Sequence, residues 1–344
     1  MKIVDFRSDT VTLPTPAMRK AMYEAELGDD VYGEDPTVNR LEEASAERLG
    51  KEAGLLTVSG TMSNLVALLT HCSRGDEVIM GDKAHTFMSE VGGPAALGSI
   101  TTRPVPNQAD GTLKLEDVES AIRGADIHHP RTRLIVIENT QNRMGGAVVS
   151  LKYTDQLGDL ARKHSLKLHL DGARIFNASV ALGVSAAAVA KRADSACFCL
   201  SKGLACPVGS VLCGSTEFIR ESRHYRKMVG GGMRQAGVLA AAGLVALDEM
   251  VDRLAEDHAN ARRLAEGIAQ LPGIHVDLKS VQTNIIFFHF ASPRLTAEAF
   301  QKALAERGIK FSGVGGGQFR MVTHYGIEAS DIDQALKAFH EVTG

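Results

Sequence analysis

The run Leu134-Ile-Val-Ile137 is apolar at every position and stops at Glu138 and Asn139. A strand that is apolar on both sides must be covered on both sides. That is the situation of a parallel sheet with helices packed over each face. Short apolar runs of this kind recur at 53–58, 75–81, 166–171, 194–200 and 208–213, and segments with helical spacing lie between most of them. The alternation from about residue 50 to 215 predicts a doubly wound, mostly parallel α/β sheet. Ligands of such sheets collect outside the carboxyl ends of the strands, so the residues that follow each run carry the functional information.

Five strand ends stand out. After 53–58 comes Ser59-Gly-Thr61 and then an apolar helix over 62–72. Exposed N–H groups and the positive end of that helix suit a phosphate, with Gly60 allowing close approach; an ordinary cap by Ser59 or Thr61 explains the same residues. His85 follows the run 75–81, and Glu138 and Asn139 close the run from Leu134. His169 and Asp171 share one face of their strand by period-two alternation, with Asp171 at its end. Lys202 follows the run 194–200 within Ser201-Lys-Gly203. Lysine is seldom buried, so one at the end of a core strand is either a surface residue or an amine kept for chemistry.

Residues 1–35 read as an arm with a short helix, 36–249 as a large domain and 250–344 as a smaller C-terminal α+β domain. Tyr32 sits in the acidic, turn-rich stretch from Gly28 to Pro36, a length of irregular chain that suits a functional or intersubunit role. The segment 217–228 is a basic helix ended by three glycines, and 235–271 reads as one long helix. Gly313-Val-Gly-Gly-Gly317 reads as a loop. It does not follow the first strand of a βαβ unit, which argues against a nicotinamide-binding fingerprint.

The balance of charge is −3 at neutral pH, and no basic stripe with interleaved aromatics invites nucleic acid. Charges interrupt the N-terminus too early for a secretory signal, and no apolar stretch reaches the length of a membrane span. Five cysteines lack the spacing of a metal site and read as small buried apolar residues. These features suggest a soluble, cytoplasmic protein with no metal and no membrane or nucleic-acid partner.

Together the strand ends supply what a pyridoxal-phosphate enzyme requires. Lys202 can form a Schiff base with the aldehyde. Asp171 can keep the pyridine nitrogen protonated. Gly60 and Thr61 can hold the phosphate, and His85 can pack on the ring. A substrate carboxylate calls for a guanidinium fork. Arg174 and Arg320 are candidates, with Ser8 as a further donor; surface ion pairs are the plain alternative for either arginine.

The strings Asp5-Phe-Arg-Ser-Asp-Thr-Val-Thr12, Gly28-Asp-Asp-Val-Tyr-Gly-Glu-Asp-Pro36, Ser59-Gly-Thr61, His169-Leu-Asp-Gly-Ala-Arg174, Leu200-Ser-Lys-Gly203 and Gly230-Gly-Gly-Met-Arg-Gln-Ala-Gly237 resemble the low-specificity L-threonine aldolases along the whole chain. The resemblance implies the aspartate-aminotransferase fold (fold type I) and reversible cleavage of L-threonine and L-allo-threonine to glycine and acetaldehyde. It implies Lys202 as the Schiff-base lysine and Asp171 on the pyridine nitrogen. Gly60 and Thr61 would hold the phosphate, joined by Arg234 and Lys227 from a neighbouring subunit, and His85 would stack on the ring. Ser8, Arg174 and Arg320 would bind the carboxylate, with His128 near the β-hydroxyl and Tyr32 in a site shared across a dimer. A homotetramer built from such dimers would follow. The base that takes the hydroxyl proton stays open between His85, His128 and water. Members often read Glu-Asn-Thr-His where this chain has Glu138-Asn-Thr-Gln141, and the pair His128-His129 is unusual. Another enzyme of the fold, a β-eliminating lyase or an aminotransferase, is the alternative, followed by a non-catalytic protein that kept the fold.

Overall fold

The computed structural model describes residues 2–344. In chain order, β1 (Val4–Asp5) lies in the N-terminal arm. It is followed by β2 (Ala53–Thr57), β3 (Asp76–Gly81), β4 (Thr101–Val105), β5 (Arg131–Glu138), β6 (Lys167–Asp171), β7 (Ser195–Cys199) and β8 (Ser210–Gly214). These seven, β2 to β8, form one sheet in the order β2-β8-β7-β6-β5-β3-β4. Only β8 runs against its neighbours. The remaining strands are β9 (Ile274–His275), β10 (Ile285–Phe290), β11 (Ile309–Lys310), β12 (Ser312–Gly315) and β13 (Gln318–Val322). The antiparallel sheet β12-β13-β10-β9 stands apart from the large one, and β11 pairs in parallel with β1.

β5 shows why the apolar run dictated this arrangement. Ile135 and Ile137 belong to one buried cluster with Leu157, Leu168, Leu170 and Phe198. Leu134 and Val136 point the other way, into a cluster with Leu65, Leu68, Val78 and Met80. Each face is closed by helices, Leu151–Lys163 on the first and Gly60–His71 on the second. The smaller sheet has its own core, where Phe288, Phe300, Phe311, Phe319 and Phe339 pack against one another, mostly edge-on or tilted, with Phe288 and Phe319 stacked.

Three readings are revised. β4 escaped notice because Pro104 interrupts it; proline is tolerated there because β4 is an edge strand. The expected long helix over 235–271 is divided into Gly237–Val245, a π turn Ala246–Met250 and Leu254–Ile268. The break lets one stretch serve two cores: Leu247, Met250 and Leu254 face the large one, and Ala261, Leu264 and Ile268 the small one. The glycine-rich loop is half strand. β12 runs to Gly315, and Gly315, Gly316 and Gly317 turn back into β13 with φ of 111°, 59° and 80°, a left-handed run that glycine adopts without strain.

The arm is stitched to both sheets. The Phe6 N–H donates to Lys310 O (2.7 Å), the Val322 N–H donates to Phe6 O (2.8 Å), and Phe6 is fully buried. Farther on, Thr12 Oγ1 donates to the carbonyl of Lys202 (3.0 Å). This strap carries Ser8 and Asp9 between the two sheets.

Candidate active site

The carboxyl ends of β2, β3, β5, β6 and β7 lead into Gly60, His85, Asn142, Arg174 and Lys202 respectively. The His85 N–H donates to Glu138 Oε2 (2.9 Å), and its ring Nδ1 pairs with Glu90 Oε1 (2.7 Å). Asn64 Nδ2 donates both to Glu90 Oε1 and to Asp171 Oδ2, each at 2.9 Å. Ligand-type atoms of His85, Glu90 and Asp171 lie within 4.8 Å of one another. The hydrogen bond that His85 donates to Glu90 raises its pKa against the effect of burial. Burial raises that of Glu90. Glu138 is pushed up to about 7 by burial and by the charge of Asp171, its partner across the β5–β6 register.

Lys202 is half-buried, and its carbonyl also accepts from the Ala205 N–H (2.8 Å), which fixes the turn after β7. Its ammonium charge is felt at Asp9, His85 and Cys199 alike, so it stands in the middle of the strand-end group.

Ser59 caps the helix Gly60–His71 by accepting from the Met62 N–H (3.2 Å). The first internal bond of that helix runs from Ser63 N–H to Ser59 O, which leaves the Gly60 and Thr61 N–H groups for an outside acceptor. A Cβ on Gly60 would lie 2.7 Å from Cys199 Sγ, so only glycine lets the turn close over β7. This is the shape of a phosphate cradle.

Arg174 and Arg320 converge from the two sheets. Arg174 grips Asp9 with both arms of its fork (Nε–Oδ2 2.6 Å, Nη2–Oδ1 2.7 Å), and both side chains are buried. Its Nη1 reaches Asn142 Oδ1 (3.3 Å), and Arg320 Nη2 donates to the same oxygen (2.9 Å). Arg320 Nε is buried with no partner. Burial and the neighbouring Arg174 bring the Arg320 pKa down to about 10. Burial would raise Asp9, but Arg174, Lys202 and Arg320 together hold its carboxyl well below the ordinary range. Two guanidinium groups and the nearby Lys202 ammonium act on the one carboxylate of Asp9, which leaves the pocket with a positive excess. Ser8 lies beside this group, with its Oγ accepting from the Thr10 N–H (3.2 Å).

Other expected site residues stand elsewhere. The chain does not bring its own His128 near the site. His128 precedes β5, whose eight residues span about 25 Å, so it lies at the opposite edge of the sheet. There it is 80% exposed and held by Asp126 Oδ1 at 2.7 Å. Arg234 is engaged by Asp29 (3.0 Å) and lies over the Tyr32 ring (5.6 Å). Tyr32 is itself 72% exposed. The Lys227 side chain packs against Gly232, in the glycine turn whose Gly231 abuts Met62 beside the phosphate cradle. Gln141 is buried in its loop, donating to Lys83 O (2.8 Å) and accepting from the Met144 N–H (2.8 Å). The five cysteines are all buried, and burial raises their thiol pKa values.

Four contributors escaped the sequence reading: Asp9, Asn64, Glu90 and Asn142. Asn64 alone had a visible signal, one helical turn after Gly60 and hence on the same face.

Residues 5–291 match the family model described as "Beta-eliminating lyase". The chain is 49% identical over 345 aligned residues to low-specificity L-threonine aldolase 1 of Arabidopsis thaliana, covering 99% of this chain and 96% of that one. It is 50% identical over 285 residues to the low specificity L-threonine aldolase of Escherichia coli K12, covering 83% and 84%. Among solved structures, a threonine aldolase of Leishmania major superposes with a TM-score of 0.84 at 21% identity, covering 99% of both chains. At that identity the superposition speaks for the fold.

Proposed function

The chain belongs to the beta-eliminating lyase family, and on that premise we propose how its residues carry out aldol cleavage. The reaction is the reversible, pyridoxal-phosphate-dependent conversion of L-threonine, L-allo-threonine and other β-hydroxy-α-amino acids to glycine and an aldehyde, a carbon–carbon lyase activity. The site fits the cofactor on its own evidence: a cradle that a Cβ would fill, an amine at a strand end and a carboxylate within the same cluster. Lys202 would hold the aldehyde carbon, Gly60 and Thr61 the phosphate, Asp171 the pyridine nitrogen, and His85 one face of the ring. When bound, pyridoxal phosphate supplies a sink for the electron pair released as the Cα–Cβ bond breaks.

The convergence of Arg174 and Arg320 on Asn142 Oδ1 carries this reading. A neutral amide oxygen meets two cations there, and Arg320 still has a buried N–H with no acceptor. A substrate carboxylate would answer both the excess charge and the free donor. Held so, the amino acid would leave its β-hydroxyl to be met by a base among the strand-end residues. With His85 Nδ1 fixed on Glu90, its Nε2 is the ring nitrogen left to take the hydroxyl proton. His128, kept from this site by its own chain, would act only from a second copy.

Supporting a shared site, Tyr32, Met228, Phe87 and Met88 are exposed large apolar side chains. We read the assembly as a homo-oligomer of dimers, the chain as an arm (1–35), a cofactor domain (36–249) and a small domain (250–344), and the setting as cytoplasmic. No helix among the described residues is long and apolar enough to cross a membrane. The test is acetaldehyde release from L-threonine and L-allo-threonine by the purified holoenzyme without added keto acid. Turnover only with a keto acid would replace this reading with aminotransfer.

A further inference from the structure

A file of buried polar groups runs back from Asp171 between the helix Gly60–His71 and the sheet, and cleavage makes no direct use of it. Asn64 Oδ1 faces His169 Nε2 (3.1 Å) and Cys197 Sγ (3.3 Å). His169 Nδ1 meets Ser195 Oγ (2.8 Å), and Ser195 Oγ meets His71 Nε2 (2.7 Å). His169, Ser195 and Asn64 are almost wholly buried. His71, at the far end of the helix, stacks on Phe218 (centroids 4.5 Å apart) where a surface groove opens beside Lys167 and Asp194.

The direction of every bond follows from the two carboxylates at the inner end. Asp171 and Glu90 both face one atom of Asn64, and two acceptors demand the amide NH2 there. Asn64 Oδ1 is then an acceptor, so His169 must carry its proton on Nε2. Its Nδ1 must accept from the Ser195 hydroxyl, and Ser195 Oγ must accept from a proton on His71 Nε2. Burial keeps both rings neutral, lowering His169 to about 4 and His71 to about 3, so each has only one proton to place. The charged groups that bear on the rings are Asp171 at His169, and Asp194 and Lys167 at His71, which also senses His169.

We propose that His71, Ser195, His169 and Asn64 are positioning residues: a one-way hydrogen-bond chain whose inner end presents two donors to Asp171 and Glu90 and holds both carboxylates in place. The proposal rests on the reading of Asp171 and His85 as the groups that face the cofactor. Through it the outer half of the helix governs how firmly Asp171 faces the pyridine nitrogen and how Glu90 aims the His85 ring. A scaffold of apolar residues would fill the same volume but would leave Asn64 free to turn its oxygen towards the carboxylates.

The test has two arms, both on the full chain. Long-range 1H–15N spectra of histidine-labelled protein, with and without cofactor, should show His169 and His71 as Nε2–H tautomers that do not titrate between about pH 5.5 and about pH 8. A proton on His169 Nδ1, or titration of either ring in that window, overturns the chain's direction. In the second arm, His169→Phe keeps the ring volume and removes the donor, and His169→Gln restores an N–H near the Nε2 position. The Phe variant should bind cofactor about tenfold more weakly and lower kcat about tenfold with little change in KM, the cost of one unsatisfied buried partner. The pH at which the visible absorbance of the bound cofactor changes should rise, and Gln should recover most of each effect. Unchanged affinity and absorbance in the Phe variant, or a Gln variant no better than Phe, overturns the positioning role. Should His169→Phe fail to fold, Ser195→Ala cuts the same chain between the two rings: His169, still set by Asn64, should keep its Nε2–H tautomer while His71 loses its own preference, and an unchanged His71 tautomer overturns the chain. The spectra do not depend on turnover: intact tautomers in a protein that releases no acetaldehyde would sink the proposed reaction and leave the chain standing.

Discussion

Replacing Asp9 by Asn tests the charge balance of the arginine pocket. The two side chains are nearly the same size, so the change removes one negative charge and turns an acceptor into an NH2 group facing the Arg174 fork at 2.6–2.7 Å. Removing one partner of a buried pair costs about 3–5 kcal/mol, because the other charge is left unpaired out of water. Arg320, which already shares Asn142 with Arg174, adds repulsion. With an unfolding entropy of about 2.1 cal/mol/K per residue, that loss lowers the midpoint of this chain by about 4–7 °C. The chain has no tryptophan, so far-UV circular dichroism against urea and temperature is the suitable probe. The pH dependence has a definite sign. Asp9 has a depressed pKa in the folded protein, so its contribution is present above the unfolded carboxyl value of about 3.9 and is lost as pH falls through the folded value. The gap between parent and variant should therefore be full at neutral pH and begin to close only below about pH 4. Acetate or glycine should raise the variant's midpoint more than the parent's, since either returns a carboxylate to the two arginines. A variant within about 1 kcal/mol of the parent at neutral pH, or a gap indifferent to acid, would refute the charge argument.

Arg320→Lys keeps the charge but loses the fork; KM for L-threonine should rise about tenfold or more, with kcat less affected, and an unchanged KM would remove Arg320 from carboxylate binding. Glu90→Gln removes the acceptor that raises the pKa of His85, so the acidic limb of the rate profile should move to lower pH. A limb that stays put shows that another group titrates. Lys202→Ala should abolish both turnover and the visible absorbance of bound cofactor, and Arg234→Ala should weaken cofactor retention. If the site is shared, mixing these two inactive or weakened proteins restores activity through hybrid dimers; no recovery means that Arg234 serves its own chain.

Much of this site could be read from order alone. Lys202, Asp171, His85 and Gly60 each follow an apolar run, and the large sheet gathers those ends because all but one of its strands are parallel. What escaped depends on distant partners. Asp9 meets Arg174 across 165 positions, in an arm whose polar residues look like solvated chain. Asn64 and Asn142 matter through where their amides point, which no local pattern encodes. Glu90 could be told from a surface acid only once Asn64 and His85 were seen beside it.

His128 shows what the same ordering rule forbids. It precedes β5, whereas Glu138, which holds the His85 N–H, closes that strand. Two residues that flank one strand of a parallel sheet lie on opposite edges of the molecule, and no side-chain rotation spans the strand between them. For His128 to meet a substrate bound by Arg174 and Arg320, it must be lent by another copy, with the exposed loop around it as the point of contact. Ile127 beside it is 98% exposed, an apolar side chain on a loop with nothing of its own chain to cover it. The positions of His128 and Glu138 on either side of β5 thus allow His128 a part in the reaction only across subunits; recovery of activity on mixing His128→Ala with Lys202→Ala, each inactive alone, is the expected result, and no recovery removes His128 from a partner's site.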